Sequence, residues 1–244
     1  METPSVSAVF SAAWRGAPAL FRSRPKLYWG FLAGGAAVGA LALLTPANAF
    51  SSPDGPQFNG ALVPALLGYV LLAGVAGYFL LADAVRTIVP AFQMTFQVFL
   101  LTLLLNMVYS AAVQFAMYAF IIPAFYVAPK MWLLTPNYLL ASLEPPDVLT
   151  YLSRAWRDTN DLYWPTLGFM LLSTCVSFIL DGVAAGIAWI GIQLFAPLAI
   201  VLVPLVLAVT LFCVAFAYLG WLLWAVAVRK HADALALTAV AVPV

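Results

Sequence analysis

RSRPKLYWGFLAGGAAVGALALLTP, residues 22–46, decides how the whole chain is read. Arg22, Arg24 and Lys26 stand directly before an apolar run from about Tyr28 to Leu44, and Pro46 opens a turn-rich stretch behind it. The hydrocarbon core of a bilayer is about 30 Å thick and takes roughly 20 apolar residues as a helix. The run therefore reads as a first crossing whose basic flank stays in the cytoplasm. Inside it, Gly30, Gly34, Gly35 and Gly39 recur at small-xxx-small spacing, which predicts close packing against another helix.

The same grammar continues down the chain. Nine of the ten Lys and Arg residues (Arg15, Arg22, Arg24, Lys26, Arg86, Arg154, Arg157, Arg229, Lys230) fall at breaks that share one side if the apolar runs cross in alternation. The positive-inside rule makes that side, and both termini, cytoplasmic. Thr45 to Gly60 and Asp181 to Gly186 contain no Lys or Arg and read as external loops. The expected fold is an all-α polytopic membrane protein, one integral domain over residues 1–244, with about six transmembrane helices and two interfacial amphipathic helices.

Four crossings are expected within residues 28–143. The second runs from about Ala61 to Leu81, the third outward from near Pro90, and the fourth back to about Leu143 after a turn near Phe120 to Pro123. Two more are expected within residues 165–228. The fifth starts at Pro165 and ends near Asp181 and Gly182; an interfacial or re-entrant piece breaks at Pro197; the last runs from about Leu202 to Val228. Hydrophobic residues make up 65% of the chain and charged residues 8%, with a mean hydropathy of +1.04, which leaves no room for a soluble domain. A net charge of +1 offers no basic field for nucleic acid. The expected location is the cell membrane, of the inner-membrane type, and the expected partners are the lipid bilayer and proteins of a membrane complex. Residues 1–25 lack the pattern of a cleaved signal peptide, so the first crossing is expected to direct insertion.

Residues 1–25 place Val6, Val9, Phe10, Ala13, Trp14, Ala17, Leu20 and Phe21 on one helical face and Arg15 and Arg22 on the other, which predicts a helix lying in the interface plane. Thr3 and Pro4 suit its N-cap and first position, and Pro18 is expected to kink or end it. Glu144, Pro145, Pro146 and Asp147 stop the fourth crossing and cap a second amphipathic helix at 147–158, in which Val148, Leu149, Leu152, Ala155 and Trp156 share a face. Trp14, Trp156, Tyr163 and Trp164 are the expected interfacial anchors. A faint repeat joins the two helices: S-x-A-W-R occurs at Ser11 to Arg15 and Ser153 to Arg157, each followed by L-Y-W, at Leu27 to Trp29 and Leu162 to Trp164.

Most chemistries lack their residues. His231 is the only histidine and lies next to Lys230 in the expected cytoplasmic tail, which removes bis-His haem, an H-E-x-x-H zinc site and a Ser-His-Asp triad within the membrane. There is no Walker loop, and Cys175 and Cys213 match no metal spacing and read as packing residues. No catalytic, cofactor or metal residue is assigned and no cofactor is expected. Lys130 is the one cation outside the charge pattern, placed within the fourth crossing or near its outer end. It either neutralises an anionic lipid or substrate or snorkels to the interface. Asn106, Ser110 and Gln114 repeat every four residues on one face of the third crossing, where they either line a solute path or bond between helices. Asp83 and Arg86 form an i,i+3 pair.

Residues 121–173, IIPAFYVAPKMWLLTPNYLLASLEPPDVLTYLSRAWRDTNDLYWPTLGFMLLS, resemble the six-helix membrane domain of glycerophosphoryl diester phosphodiesterases and related membrane proteins. The likeness rests on Pro123, Tyr126, Lys130, Pro136, Glu144, Pro146, Ser153 and Trp156; Lys130 departs from the Arg more usual there, and the long carboxyl-terminal tail is atypical. The resemblance implies a membrane domain with no recognised chemistry of its own, since the catalytic domain of that family has no counterpart in this chain. Together these readings lead to a non-enzymatic accessory or scaffold subunit with lipid contacts. The alternative is the permease subunit of a transporter driven by a separate ATPase.

Overall fold

A computed structural model describes residues 3–42, 62–119, 121–140 and 148–240. The expected external loop at Thr45 to Gly60 and the stop signal at Glu144 to Asp147 lie outside the described residues. Every regular element among those described is helical: α1 (Val6–Ser23), α2 (Pro25–Ala42), α3 (Leu62–Ile88), α4 (Phe96–Ala119), α5 (Ile121–Trp132), α6 (Leu134–Leu140), α7 (Val148–Asp158), α8 (Tyr163–Leu194) and α9 (Ala199–Val240), with a 3₁₀ turn at Ala196–Leu198. Among the described residues four stretches are long and apolar enough to cross a membrane: Leu67–Ile88, Phe96–Tyr118, Tyr163–Leu194 and Ala196–Ala234. The first expected crossing corresponds to α2, which is not among these four.

Local chemistry sets several boundaries. The Ser5 hydroxyl accepts from the Ala8 amide at 3.4 Å, so Ser5 and not Thr3 caps α1. Thr95 caps α4 in the same way through Val98 at 3.2 Å. Pro18 does not end α1. The turn before it is held by packing, because Ala13 and Gly16 press against Gly220 and Leu219 of α9. The helix stops at Ser23, ahead of Arg24 and Pro25.

The expected fifth crossing is longer than its sequence suggested. Asp181 to Gly186 is no loop; it lies inside the 32 residues of α8. A glycine costs about 1 kcal/mol in a helix interior. Opening the backbone in an apolar solvent costs several kcal/mol for each group left unpaired, so Gly182 and Gly186 cannot break the run. The interruption falls instead at Phe195 to Leu198, next to Pro197, and α9 then continues unbroken for 42 residues. The piece read as interfacial or re-entrant is thus the end of α8 and the start of α9.

The expected fourth crossing is broken into α5 and α6, and prolines explain how its backbone is satisfied. Pro129 has no N–H to donate to the Phe125 carbonyl, and Pro136 none for the Trp132 carbonyl. The Tyr163 hydroxyl donates to Phe125 O at 2.8 Å, and the Trp221 indole N–H donates to Trp132 O at 2.7 Å. Each carbonyl released by a proline thereby regains a donor from α8 or α9.

The chain divides into two compact units. One comprises Met1–Gly16, Ala82–Thr174 and Ala217–Val244, the other Ala17–Leu81 and Cys175–Phe216. The first is centred on Leu133, Ala155, Leu162, Phe169, Trp224, Ala225 and Val228, with Val6, Val9 and Phe10 packed onto them. Trp224 is fully buried, stacks on Phe169 at 5.1 Å, and donates its indole N–H to Thr166 Oγ1 at 3.0 Å. In the second unit the α2 glycines act as the small-residue spacing predicts: Gly34 faces Leu72 of α3, while Gly35 and Gly39 abut Pro204 and Ala199 of α9. A Cβ at Gly39 would stand 2.5 Å from the Ala199 carbonyl oxygen, so only glycine fits there. Tyr69 and Thr210 share a hydroxyl hydrogen bond of 3.0 Å between α3 and α9.

Candidate functional site

Lys130 is 3% exposed and sits near the end of α5 in the first unit. The helical period brings Tyr126, four residues earlier, onto the same face. The ammonium donates to the Tyr126 hydroxyl at 2.9 Å and to Asn160 Oδ1, the latter from the turn between α7 and α8. It also lies 4.5 Å from the centre of the Tyr126 ring and 4.6 Å from that of Trp156 on α7. The two rings meet edge to face at 6.0 Å, and the Tyr163 ring also stands 6.0 Å from that of Tyr126.

A buried ammonium is costly unless paired. Charge-assisted hydrogen bonds of about 1.5–3 kcal/mol each and π faces worth about 0.5–2 kcal/mol each supply that compensation. Among the described residues no carboxylate pairs with Lys130. Lys130 lies against α7, beside the segment that carries Arg154 and Arg157, and it is enclosed.

Two hollows adjoin this cluster. An open groove of about 590 Å³ is lined by Met131, Leu152, Ser153, Trp156, Arg157 and Asn160. A polar cleft of about 550 Å³ shares Arg157 with it and gathers Arg154, Arg229 and His231 opposite Asp158, Asp161 and Asp233. The cleft balances three guanidinium groups against three carboxylates. Arg157 and Asp158 lie 3.5 Å apart. Burial raises the Asp158 carboxyl above its ordinary range, opposed by Arg157 and reinforced by Asp233.

The polar stripe on α4 is divided. Asn106 accepts from the Thr135 hydroxyl of α6 at 3.2 Å, whereas Ser110 and Gln114 are on the exposed face. Asp83 and Arg86 pair at 3.4 Å, and Arg86 also donates to Phe92 O. Of the aromatic anchors, Trp164 is 76% exposed and Tyr163 is half-buried with its hydroxyl committed to α5. The repeated S-x-A-W-R segments share a burial pattern, with Ala13 and Ala155 both at 0% and Trp14 and Trp156 at 41% and 37%. Among the described residues no group of three His, Cys, Asp or Glu side chains is placed to hold a metal ion.

Two features escaped sequence reasoning. Asn160, in a stretch read only as polar punctuation, is a principal partner of Lys130. In the second unit Ser177 Oγ and Asp181 Oδ1, one helical turn apart on α8, are buried with no partner stronger than the nearby Cys213 thiol. The Asp181 carboxylate was visible in the sequence, but reading it as loop hid its neighbour. Compared with known proteins, the chain matches no family model, no curated protein and no solved structure.

Proposed function

We propose that the chain is a non-enzymatic multi-pass membrane protein acting as an accessory or scaffold subunit of a membrane complex, with about six crossings and both termini cytoplasmic. The observation that carries this reading is the enclosure of Lys130: the most reactive group in its neighbourhood is committed to Tyr126, Asn160 and two ring faces. Asn106 points the same way, because its carbonyl joins α4 to α6. These polar groups join helices. The exposed face of α4 carries Phe96, Leu100, Leu104, Met107 and Phe115 with Ser110 and Gln114 among them, and is mainly apolar, suited to lipid or to a partner helix. The part-exposed Trp14 and Trp156 and the exposed Trp164 fit interfacial depth. The resemblance of residues 121–173 to a membrane domain without chemistry of its own agrees with this assignment.

The permease reading draws on one specific feature, the buried Ser177 and Asp181 oxygens on α8. Extraction in a mild detergent followed by measurement of co-purifying proteins and their stoichiometry separates the two. A stable, stoichiometric membrane partner without ATPase activity is the expected result. A stoichiometric ATPase overturns the scaffold reading in favour of a permease, and a chain that purifies alone overturns the subunit assignment.

A further inference from the structure

At the junction of α1 and α2, in the second unit, the chain leaves a pocket of about 430 Å³, within the roughly 300–1,000 Å³ typical of ligand sites. Its origin is local. Ser23 turns its hydroxyl back onto Leu20 O at 2.6 Å, α1 ends, and Pro25 starts α2 in a new direction. Phe21 and Tyr28 then meet edge to face at 5.1 Å across the break. The wall is apolar and aromatic, formed by Phe21, Tyr28, Trp29 and Leu32 with Leu211 and Phe212 of α9.

One charged residue, Arg22, lies on that wall. It is exposed, and among the described residues it forms no ion pair or hydrogen bond. Its neighbour Arg24 is directed elsewhere, with its guanidinium 5.5 Å over the Phe79 ring. From Thr3 to Pro53 the sequence contains Arg15, Arg22, Arg24 and Lys26 and no acidic residue, so the segment that carries Arg22 is basic throughout. An apolar pocket with an unpaired guanidinium at its exposed wall is complementary to a chain-like apolar body bearing an anionic head.

We propose that this pocket holds an acyl chain of an anionic phospholipid whose phosphate is bound by Arg22. The proposal rests on the membrane reading above and adds a defined lipid site, separate from Lys130. Native mass spectrometry of the detergent-purified protein, equilibrated with equal amounts of phosphatidylglycerol and phosphatidylcholine, tests it in three forms: wild type, Arg22→Gln, and Ala208→Trp, which fills the pocket from α9.

Wild type should retain phosphatidylglycerol over phosphatidylcholine by about tenfold, because both offer a phosphate to Arg22 but the choline ammonium of the second offsets that charge and is repelled by the guanidinium. R22Q should lose that preference while still binding lipid, and A208W should lose both lipids. Equal retention in wild type and R22Q, preference for phosphatidylcholine, retention of free fatty acid alone, or detergent alone in the site each overturns the proposal. R22Q, an exposed substitution, keeps the test decisive if A208W fails to fold. Recovery of the wild-type chain from cells without detergent would instead defeat the membrane reading, an outcome distinct from failure of the pocket.

Discussion

Replacing Trp221 by Phe should remove the donor that Pro136 makes necessary. The indole N–H lies 2.7 Å from Trp132 O, and Trp221 is 9% exposed, so water cannot readily replace it. An unsatisfied buried carbonyl costs about 1–3 kcal/mol, while hydrogen bonds measured in membrane proteins average about 0.6 and reach about 1.7 kcal/mol. We expect W221F to destabilise the protein by about 1–2 kcal/mol. The smaller ring also loses packing against Trp132, whose ring centre is 6.1 Å away, so the single variant alone proves little. Pro136→Ala separates the two effects, since an alanine at this position regains the backbone N–H that proline lacks. The Asn137 amide already reaches Leu133 O at 3.0 Å, so the backbone there has helical register. In the P136A background the cost of W221F should fall by at least half. Unfolding by added SDS in micelles, followed by far-UV circular dichroism, gives the four stabilities of the cycle. Equal costs of W221F in both backgrounds would refute the reasoning.

Three further expectations follow from the same geometry. Trp156→Leu removes one of the two ring faces over the Lys130 ammonium and should cost about 1–2 kcal/mol in the same unfolding assay, whereas unchanged stability would mean the cation–π contact contributes nothing. Because burial raises the Asp158 carboxyl, the folded state holds more protons than the unfolded one between the ordinary carboxylate range and that raised value; stability should fall as pH rises through this window, and Asp158→Asn should flatten the slope. Ser177→Ala removes a buried hydroxyl with no partner stronger than the weakly bonding Cys213 thiol and should raise stability by roughly 1 kcal/mol; a loss of stability would indicate that Ser177 is strongly bonded.

Helical class and the apolar runs were legible because period and length are local properties. The α2 glycines were legible for a similar reason: their spacing places small residues on helix faces, and Gly34, Gly35 and Gly39 indeed meet α3 and α9. Lys130 stood out as the cation that fitted no pattern, yet its surroundings did not, since Asn160 and Trp156 reach it from beyond a helix break. Trp221 lies 89 residues from the carbonyl it serves, and no sequence period encodes such a pairing. The continuations of α1 past Pro18 and of α8 through Asp181 to Gly186 share one cause. Turn-forming residues were weighed by local propensity, while packing at Gly16 and the cost of opening backbone in an apolar environment override it.

Accessibility labelling tests the central claim, a multi-pass chain oriented by its basic residues, most directly. With Cys175 and Cys213 replaced, single cysteines are placed at Ser52, in the Thr45 to Gly60 segment, and at Ser11 on α1, and intact cells are treated with a membrane-impermeant maleimide. Labelling at position 52 with protection at position 11 until the cells are opened is the expected result. Labelling at 11 with protection at 52 would reverse the orientation, and equal labelling of both without opening the cells would contradict the crossing between them.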